Sequence, residues 1–373
     1  MTMSAERGRV LHLRSSGAIL GAENVIIEIA KNSPRHGWES VVGAINDVKD
    51  TYPDFLGLAS RNGIRTANFK CHGRLDFSCI KEIKKFIEIS DINIIHSHGY
   101  KEDIFTFLIP GSIPKIATNH LWKGITVKSK IYCYLDAMCV RFFDKIVGVS
   151  DEIVKQMEQL YIKNLYKIPN GIDINKYKPR AKSGKILKEF GLSADDIVLG
   201  MVSSLTYEKN HKMVIEALKE INLPNLKLLI VGDGKSRGII QKQVAATGVQ
   251  ESIILAGARN DIVNILSVID VFLMPSLNEG LPMALLEAMA CGKAVIASRV
   301  GEIPNVVCHN GNGLLIAPYD SEQFVKAIIH LIEDTQKIQS FGMSARKTVE
   351  ESYSSSIMAE RYCEIYDSLQ YGN

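Results

Sequence analysis

Short apolar runs alternate with amphipathic segments along most of the chain. This alternation predicts repeated strand–helix–strand units and a largely parallel sheet. In the first half, the runs predicted to form strands are Val10–Leu13, Ser40–Ala44, Asn93–His96, Lys115–Thr118 and Lys145–Val149. Glu23–Lys31 and Ile80–Ile89 are predicted helices, because their apolar residues recur at helical spacing.

A break at Ile168–Asp173, with the sequence IPNGID, predicts a domain boundary, because proline and an Asn-Gly pair favour a turn. Further predicted strands are Ile197–Val202, Lys227–Val231, Ser252–Leu255, Val271–Met274, Ala294–Ala297 and Gly313–Ile316. The helical patterns among and after them are His211–Leu218, Met283–Ala290, Glu322–Ile332 and Ile357–Leu369. Two α/β halves in tandem predict two Rossmann-like domains with a cleft between them, and ligands of such sheets bind outside the carboxyl ends of the strands.

The composition is that of an ordinary globular protein, since 46% of the 373 residues are hydrophobic and 23% are charged. The seven cysteines are scattered without a C-x-x-C pair, which favours reduced thiols in a cytoplasmic protein over a disulfide scaffold or a zinc site. The N-terminus lacks the apolar stretch of a signal peptide, and no apolar run approaches the roughly 20 residues that span a bilayer.

The net charge of +3 is unevenly distributed. Residues 1–170 carry 23 Lys and Arg against 18 Asp and Glu, whereas the remainder carries 21 against 23. A basic N-terminal half suits an anionic membrane surface or a phosphorylated acceptor, and the alternative is an ordinary solvated surface. No basic stripe with interleaved aromatic residues is present, so a nucleic-acid partner is not expected.

The segment 121–143 is both aromatic and basic. It contains Trp122, Tyr132, Tyr134 and Phe142 together with Lys123, Lys128, Lys130 and Arg141. An amphipathic helix of this composition can meet a membrane interface. The alternative is that the aromatic side chains pack in the core while the lysines are solvated.

The segment 275–298, PSLNEGLPMALLEAMACGKAVIAS, is the strongest local indication of a ligand site. A predicted strand leads through a loop into a helix that begins near Met283, and the free amides of a helix start favour an anion. Glu279 and Glu287 can face one ligand, with Gly280 permitting close approach of the backbone. Two carboxylates suit a hydroxyl-rich ligand such as a sugar nucleotide. The alternative is a carboxylate that favours the helix dipole and a second that is solvated.

The loop SSGAILGAEN, residues 15–24, follows the first predicted strand and opens a helix. Its glycines, Gly17 and Gly21, would let backbone amides approach a phosphate. A plain helix start, with Glu23 favouring the dipole, is the alternative.

Three histidines end predicted strands in the first half: His96, His98 and His120. We expect the rings of the His-x-His pair to point to opposite faces of the sheet, so that one faces a ligand and the other lies in the core. A metal site is not expected, because the sequence indicates no third ligand.

Several motifs in order resemble glycosyltransferase family 4, whose members have the GT-B fold. Glu279 and Glu287 match the family's E-x7-E motif, and the continuation AMACGKAVIAS is similar too. The other matching motifs are GEIP at Gly301–Pro304, IPNGID at Ile168–Asp173, VGDG at Val231–Gly234 and EKNH at Glu208–His211.

The resemblance implies roles for the donor site. Glu287 would hold the ribose hydroxyls and Glu279 would contact the transferred sugar. The backbone of four residues would line the sugar and phosphate pocket: Gly280, Leu281, Pro282 and Met283. Lys209 matches the lysine that neutralises the diphosphate, where negative charge develops in the transition state.

The chain departs from the family pattern at Ser204, where the family usually has an arginine. The resemblance leaves Lys209 as the main cation, helped by the Ser203 and Ser204 hydroxyls or by Arg259. In the first half, it implies that Gly17 and Gly21 border the diphosphate.

The acceptor side would be formed by three further residues. His120 matches the family's active-site histidine near the anomeric carbon, and His98 and Lys101 are the expected acceptor contacts.

The resemblance thus implies an α/β protein of the GT-B class, with an acceptor domain at 1–172, a donor domain at 173–355 and a terminal helix at 356–373 that returns to the first domain. The implied reaction is metal-independent transfer, with retention of anomeric configuration, from a UDP- or GDP-sugar to a glycan or lipid-linked acceptor in surface polysaccharide or lipopolysaccharide synthesis. No cofactor is expected. A cytoplasmic location with peripheral contact at the inner face of the membrane fits this role.

Other functions remain open at this stage. One alternative is a GT-B nucleotide-sugar epimerase or sugar phosphorylase. Another is a non-catalytic sugar-nucleotide-binding protein, for which the departure at Ser204 is the only support. A dehydrogenase is disfavoured, because no G-x-G-x-x-G follows the first predicted strand.

Overall fold

In a computed structural model, the described residues are 7–15, 21–49, 51–73, 75–120 and 127–372. They divide into two compact units. Unit 1 consists of residues up to Gly171 together with the segment from Ser355 onward, and unit 2 is Ile172–Ser354.

Unit 1 is a parallel sheet of seven strands flanked by helices. The strands are β1 (Gly8–Arg14), β2 (Trp38–Asp47), β3 (Arg65–Cys71), β4 (Ile94–Ser97), β5 (Lys115–Asn119), β6 (Lys145–Gly148) and β7 (Leu165–Lys167). The helices are α1 (Gly21–Asn32), α2 (Asp54–Arg61), α3 (Phe77–Ile89), α4 (Tyr100–Leu108), α5 (Val127–Val140), α6 (Asp151–Gln159) and, from the end of the chain, α15 (Ser355–Tyr371).

The terminal helix α15 belongs to unit 1 because its apolar face completes that unit's core. Tyr362 and Tyr366 are fully buried in a cluster with residues of β1, α1 and β4. Trp38 of β2 packs against Tyr366 and donates from Nε1 to Asp367 Oδ1 at 2.9 Å. The helix therefore covers the sheet beside β1 and β4, where a histidine cluster described below is located.

Unit 2 is a parallel sheet of six strands with helices around it. The strands are β8 (Ile197–Val202), β9 (Leu226–Val231), β10 (Ile253–Gly257), β11 (Val271–Met274), β12 (Ala294–Ser298) and β13 (Leu314–Ile316). The helices are α7 (Gly184–Phe190), α8 (His211–Ile221), α9 (Arg237–Ala245), α10 (Ile262–Val268), α11 (Met283–Ala290), α12 (Ile303–Val306), α13 (Ser321–Ile332) and α14 (Thr335–Ser352). Strands β11 and β12 are buried along their whole length, as expected for a parallel sheet covered on both faces.

Both sheets reverse their strand order at one point. The order is β3-β2-β1-β4-β5-β6-β7 in unit 1 and β10-β9-β8-β11-β12-β13 in unit 2. The order reverses between β1 and β4 in the first sheet and between β8 and β11 in the second. Crevices outside the carboxyl ends of such strand pairs are the usual ligand sites of this topology. Within the described residues, no helix is both long and apolar enough to cross a membrane.

Candidate active site

In unit 2, the loops that follow β8 and β11 bring together a lysine and a glutamate. Lys209, in the loop after β8, donates a hydrogen bond and forms an ion pair with Oε1 of Glu279, in the loop after β11. Ser276 Oγ donates to the same oxygen at 2.7 Å. Glu279 is only 9% exposed, so the ammonium group and the hydroxyl compensate for much of its lost hydration.

The loop that carries Glu279 is fixed by contacts with two neighbouring loops. Leu277 N donates to Glu208 O at 2.8 Å, which ties it to the loop after β8. Gly301 has φ of 53°, and a Cβ there would lie 1.9 Å from the Glu279 carbonyl oxygen. Glycine is therefore required at this position, and Glu279 is held by backbone packing as well as by its side chain.

The helix α11 begins at Met283, as the sequence predicted, and carries Glu287 in its second turn. The Glu287 side chain is partly buried, and burial raises the pKa of its carboxyl group. A hydrogen bond from the Tyr177 hydroxyl, followed by the nearby charge of Lys176, acts on this pKa in the opposite direction. Glu287 thus lies beside a hydroxyl group and an ammonium group, and its partly buried carboxyl group can also accept hydrogen bonds from a polar ligand.

Arg259 is engaged in a local ion-pair cluster. Its guanidinium donates to Glu189 and to Asp261 and lies over the Phe190 ring, 5.6 Å from the centroid. Hydrogen bonds from Arg259 lower the pKa of both carboxyl groups. No contact among the described residues links Arg259 to Lys209, so its assignment to the donor site stays a prediction. Ser204 is exposed in the loop after β8, and its role is likewise a prediction.

In unit 1, a cavity of about 620 Å³ lies at the corresponding reversal of strand order. Its lining includes the predicted residues His98, Lys101 and His120, and also Arg14, Ser15, Asp47, Gly73, Gly99, Tyr100, Glu102, Ile104 and Asn119. The structure therefore brings the three predicted acceptor-side residues to one cavity. Gly21 begins α1 with open space where a Cβ would be, and Gly17 lies outside the described residues.

The prediction that His96 and His98 point to opposite faces is wrong. Their ring centroids are 4.1 Å apart, because residues i and i+2 of a strand project from the same face. His12 of β1, which is in register with His96, joins them on that face. One ligand atom from each of these three rings lies within 4.8 Å of the others, so the structure brings a third possible metal ligand, which the sequence did not indicate, beside the pair. The expectation that no metal is bound stays a prediction. His12 could not be recognised from the sequence, because its nearness to His96 and His98 depends on the pairing of β1 with β4.

The ring nitrogens of this cluster are hydrogen-bonded within the protein. His12 Nδ1 lies 3.1 Å from His98 Nε2, and His98 Nδ1 lies 3.3 Å from His120 Nε2. His96 contacts the hydroxyl groups of Tyr366 and Thr118 at 2.8 and 2.7 Å.

Burial keeps these rings neutral. It lowers the pKa of His12 and of His120 to about 3, and lowers those of His96 and His98 well below the usual range.

Three charged residues that line the cavity were missed by the sequence analysis: Arg14, Asp47 and Glu102. Arg14, at the end of β1, pairs at 2.8 Å with the fully buried Glu23 and donates to the His98 carbonyl oxygen. Glu102, in the first turn of α4, is 2% exposed, and its Oε1 has no hydrogen-bond partner in the described part of the chain. A Cβ on Gly99 would approach Arg14 and Glu102 to 2.7 and 2.8 Å, which explains the glycine between β4 and α4.

The aromatic segment 121–143 is described only in part. Residues 121–126 and the side chains of 127–132 lie outside the described residues. Tyr134 is 62% exposed and Phe142 is 73% exposed, so core packing, the alternative considered for these aromatic residues, is wrong for both.

Comparison with known proteins supplies an independent assignment. A family model described as "Glycosyltransferase Family 4" matches residues 19–176, and one described as "Glycosyl transferases group 1" matches residues 183–348. The UDP-Gal:alpha-D-GlcNAc-diphosphoundecaprenol alpha-1,3-galactosyltransferase of Escherichia coli is 29% identical over 285 residues, which cover 69% of this chain and 73% of that protein.

Solved structures share the fold over nearly the whole chain. HepE of Anabaena in complex with UDP superposes with a TM-score of 0.81 at 23% identity, covering 96% of this chain and 100% of the other. A glycosyltransferase from Rickettsia africae gives a TM-score of 0.82 at 19% identity, with coverage of 98% and 100%. With both units matched by family models, the chain belongs to glycosyltransferase family 4 and has the GT-B fold.

Proposed function

We propose that the protein transfers a sugar from a nucleotide-sugar donor to a hydroxyl group of a glycan or lipid-linked acceptor. The observation that carries this proposal is the Lys209–Glu279 pair at the carboxyl ends of β8 and β11. It combines a cation for a diphosphate with a carboxylate for sugar hydroxyls at the usual ligand position of the fold.

The donor is assigned to unit 2. Lys209 would pair with the diphosphate, Glu279 would accept hydrogen bonds from the transferred sugar, and Glu287 would accept them from the ribose. The backbone of residues 280–283 would line the pocket at the start of α11, where free amides favour a phosphate. UDP-sugars are the first donors to test, because the Escherichia coli relative is named for UDP-Gal and the HepE structure contains UDP.

Binding of the donor would exchange one partner of Lys209 for another. In the structure, the Lys209 ammonium pairs with Glu279. A diphosphate carries more charge than one carboxylate, so the ammonium would move toward it while Glu279 turns to the sugar hydroxyls. The ion pair therefore keeps both side chains near the positions where a donor needs them, which reduces the ordering required on binding.

The acceptor is assigned to the cavity of unit 1. Glu102 offers a buried carboxylate oxygen for a sugar hydroxyl, and His120 offers a neutral ring. Lys101 and Arg14 line the same cavity and suit a phosphate-bearing acceptor. The Escherichia coli relative, whose name specifies a diphosphoundecaprenol-linked sugar, makes a lipid-linked acceptor the first choice.

We further propose that transfer retains anomeric configuration and needs no metal ion. Negative charge on the leaving diphosphate would be balanced by Lys209 and by the amides at the start of α11. The leaving phosphate would then take the proton of the acceptor hydroxyl on the same face of the sugar. Neither Glu279 nor Glu287 acts as the covalent nucleophile in this scheme.

Peripheral contact with the inner face of the cytoplasmic membrane is part of the proposal. Along α5 and just beyond it, Tyr134, Leu135, Met138 and Phe142 are between 43% and 73% exposed, and Arg141 is exposed beside them. This apolar stripe with a cation suits an anionic bilayer.

The membrane contact is tested by co-sedimentation with vesicles. The protein should co-sediment with phosphatidylglycerol vesicles but not with phosphatidylcholine vesicles, and Phe142→Ser should weaken the binding. If the wild type and the Phe142→Ser variant are recovered equally in the supernatant after incubation with phosphatidylglycerol vesicles, the proposed membrane contact is rejected.

The function itself is tested with purified protein in two steps. In a thermal-shift series with UDP-, GDP- and ADP-sugars, the nucleotide sugars of one base should raise the Tm of the protein, because a ligand that binds the native state stabilises that state. Product analysis with that donor and a lipid-linked sugar diphosphate should then show a new α-linked glycoside only when both are present. A changed donor sugar without acceptor would indicate an epimerase instead, and binding without any product would indicate a non-catalytic protein.

A further inference from the structure

Four side chains in unit 1 form a continuous chain of hydrogen bonds across the sheet. It runs from His120 after β5 to His98 after β4, then to His12 of β1 and finally to Ser40 of β2. The three links measure 3.3, 3.1 and 3.2 Å between ring nitrogens or hydroxyl oxygen. Only His120 and His98 line the cavity, whereas His12 and Ser40 are buried behind them.

The protons of this chain are coupled. A neutral imidazole donates from one nitrogen and accepts at the other, so each link fixes the next. In one arrangement, His120 donates from Nε2 to His98, His98 donates to His12, and His12 donates to Ser40 Oγ. In the reverse arrangement, Ser40 donates into the chain and His120 carries its proton on Nδ1.

The partner-free nitrogen at the end of the chain distinguishes these arrangements. His120 Nδ1 is buried and has no hydrogen-bond partner among the residues that the structure describes. A buried N–H group without an acceptor is rarer and more costly than a buried acceptor without a donor. The first arrangement leaves a lone pair at Nδ1, whereas the second would leave an orphaned N–H.

We propose that His98 and His12 are positioning residues that fix the proton of the neutral His120 ring on Nε2, so that Nδ1 accepts a hydrogen bond from a sugar hydroxyl. The effect of this arrangement on turnover rests on the proposed function, whereas the position of the proton on His120 does not. His12 acts through His98 and touches no substrate.

A metal ion is the competing use of the same rings. The planes of the His12 and His98 rings are inclined by 27°, and their facing nitrogens are at hydrogen-bonding distance. Binding an ion would require both rings to give up these bonds. The arrangement therefore favours the hydrogen-bond chain, and metal analysis belongs in the test.

The first measurement is the protonation pattern of His120, read from imidazole ¹⁵N shifts of the labelled protein without substrate. The wild-type protein should carry the proton on Nε2. His12→Phe removes the acceptor of His98 and should shift His120 toward the Nδ1-protonated form. His12→Asn should restore the wild-type pattern, because its Oδ1 can accept near the former Nδ1 position. If His12→Phe does not fold, Ser40→Ala interrupts the chain with a smaller change and should shift the pattern in the same direction.

The matched control is His96→Gln, which alters an equally buried histidine of the same cluster outside this chain. It should leave the His120 pattern unchanged. With donor and acceptor, His12→Phe should lower kcat by about tenfold with donor KM changed less than about twofold, because a mispositioned His120 loses only part of the roughly 10²- to 10⁴-fold contribution of a well-placed acid–base group.

Three results would overturn the proposal: an Nδ1-protonated His120 in the wild type, equal shifts in His12→Phe and His96→Gln, or a stoichiometric metal ion lost in His12→Phe. A correct proton pattern in a protein without transferase activity would support the hydrogen-bond chain and reject the proposed function, so the two failures are distinguishable.

Discussion

The two reversal points of this chain occupy equivalent positions in equivalent sheets, yet they differ in electrostatics. In unit 2, a lysine and a glutamate meet as ions at the carboxyl ends of β8 and β11. In unit 1, two neutral imidazoles, His98 and His120, line the cavity together with charged side chains such as Arg14, Lys101 and Glu102. The topology thus determines where a ligand binds, whereas the local side chains determine which chemical groups it can present. A close ion pair suits a diphosphate, and neutral imidazoles beside a buried carboxylate suit sugar hydroxyls.

The largest effect is expected at Glu279, in the charged site of unit 2. Glu279→Ala should reduce turnover by about 10³-fold, the size seen when a preorganised polar group at a transition state is lost. Removing the carboxylate also frees Lys209, so affinity for the nucleoside diphosphate should stay equal or rise. Steady-state kinetics and calorimetric titration measure the two effects. Glu220→Ala on the exposed side of α8 is the control, and turnover equal to that control would remove Glu279 from the site.

The next effect is expected at Lys209. Lys209→Ala should weaken binding of the nucleoside diphosphate by roughly 30-fold, corresponding to about 2 kcal/mol for a hydrogen bond to a charged group. Lys212→Ala, an exposed lysine three residues further along, is the matched control. If calorimetry shows the same affinity for both variants, the cation of the donor site lies elsewhere.

A smaller effect is expected at Glu287. Glu287→Gln should reduce affinity for the ribonucleoside diphosphate by about tenfold, because a charge-assisted hydrogen bond becomes neutral. The same variant should lose the preference for ribose over 2′-deoxyribose, measured by titration with both nucleotides. A preference that survives the substitution would contradict the ribose assignment.

The neutral histidines give the smallest and most specific prediction. With the folded-state pKa of His12 at about 3 and an ordinary value of 6.5, the unfolded chain binds the extra proton between those pH values. The stability that neutral His12 contributes is therefore present above pH 6.5 and is lost as the pH falls toward 3. Between pH 6 and pH 5, His12→Asn should lose less free energy of unfolding than the wild type, by about 1 kcal/mol. Urea titrations test this, with exposed His330→Asn as a control that should match the wild type.

The elements of unit 2 were the most predictable from the sequence. The predicted strands Ile197–Val202 and Val271–Met274 and the helix Met283–Ala290 have the bounds seen in the structure. These segments are almost continuously apolar and end at polar or proline-containing loops. Strands β3 and β7 were missed, because both are largely exposed or half-buried and their sequences, RTANFKC and LYK, lack a clear pattern.

The site was predictable where one motif contained it and not where strands had to be paired. Glu279 and Glu287 share one segment, but the contact of Glu279 with Lys209 spans 70 residues and depends on the adjacency of β8 and β11. The same limit applies to His12, whose partner His98 is 86 residues away. The error about the His-x-His pair was one of periodicity, since alternate residues of a strand share a face.

Hydrogen–deuterium exchange tests the central contrast most directly, with the nucleoside diphosphate that raises Tm most, at saturation. We predict slower exchange in the loop after β8, residues 203–209, and in residues 276–287, with no change around His98 and His120. Protection confined to the unit 1 cavity would contradict the assignment of the donor to the charged site.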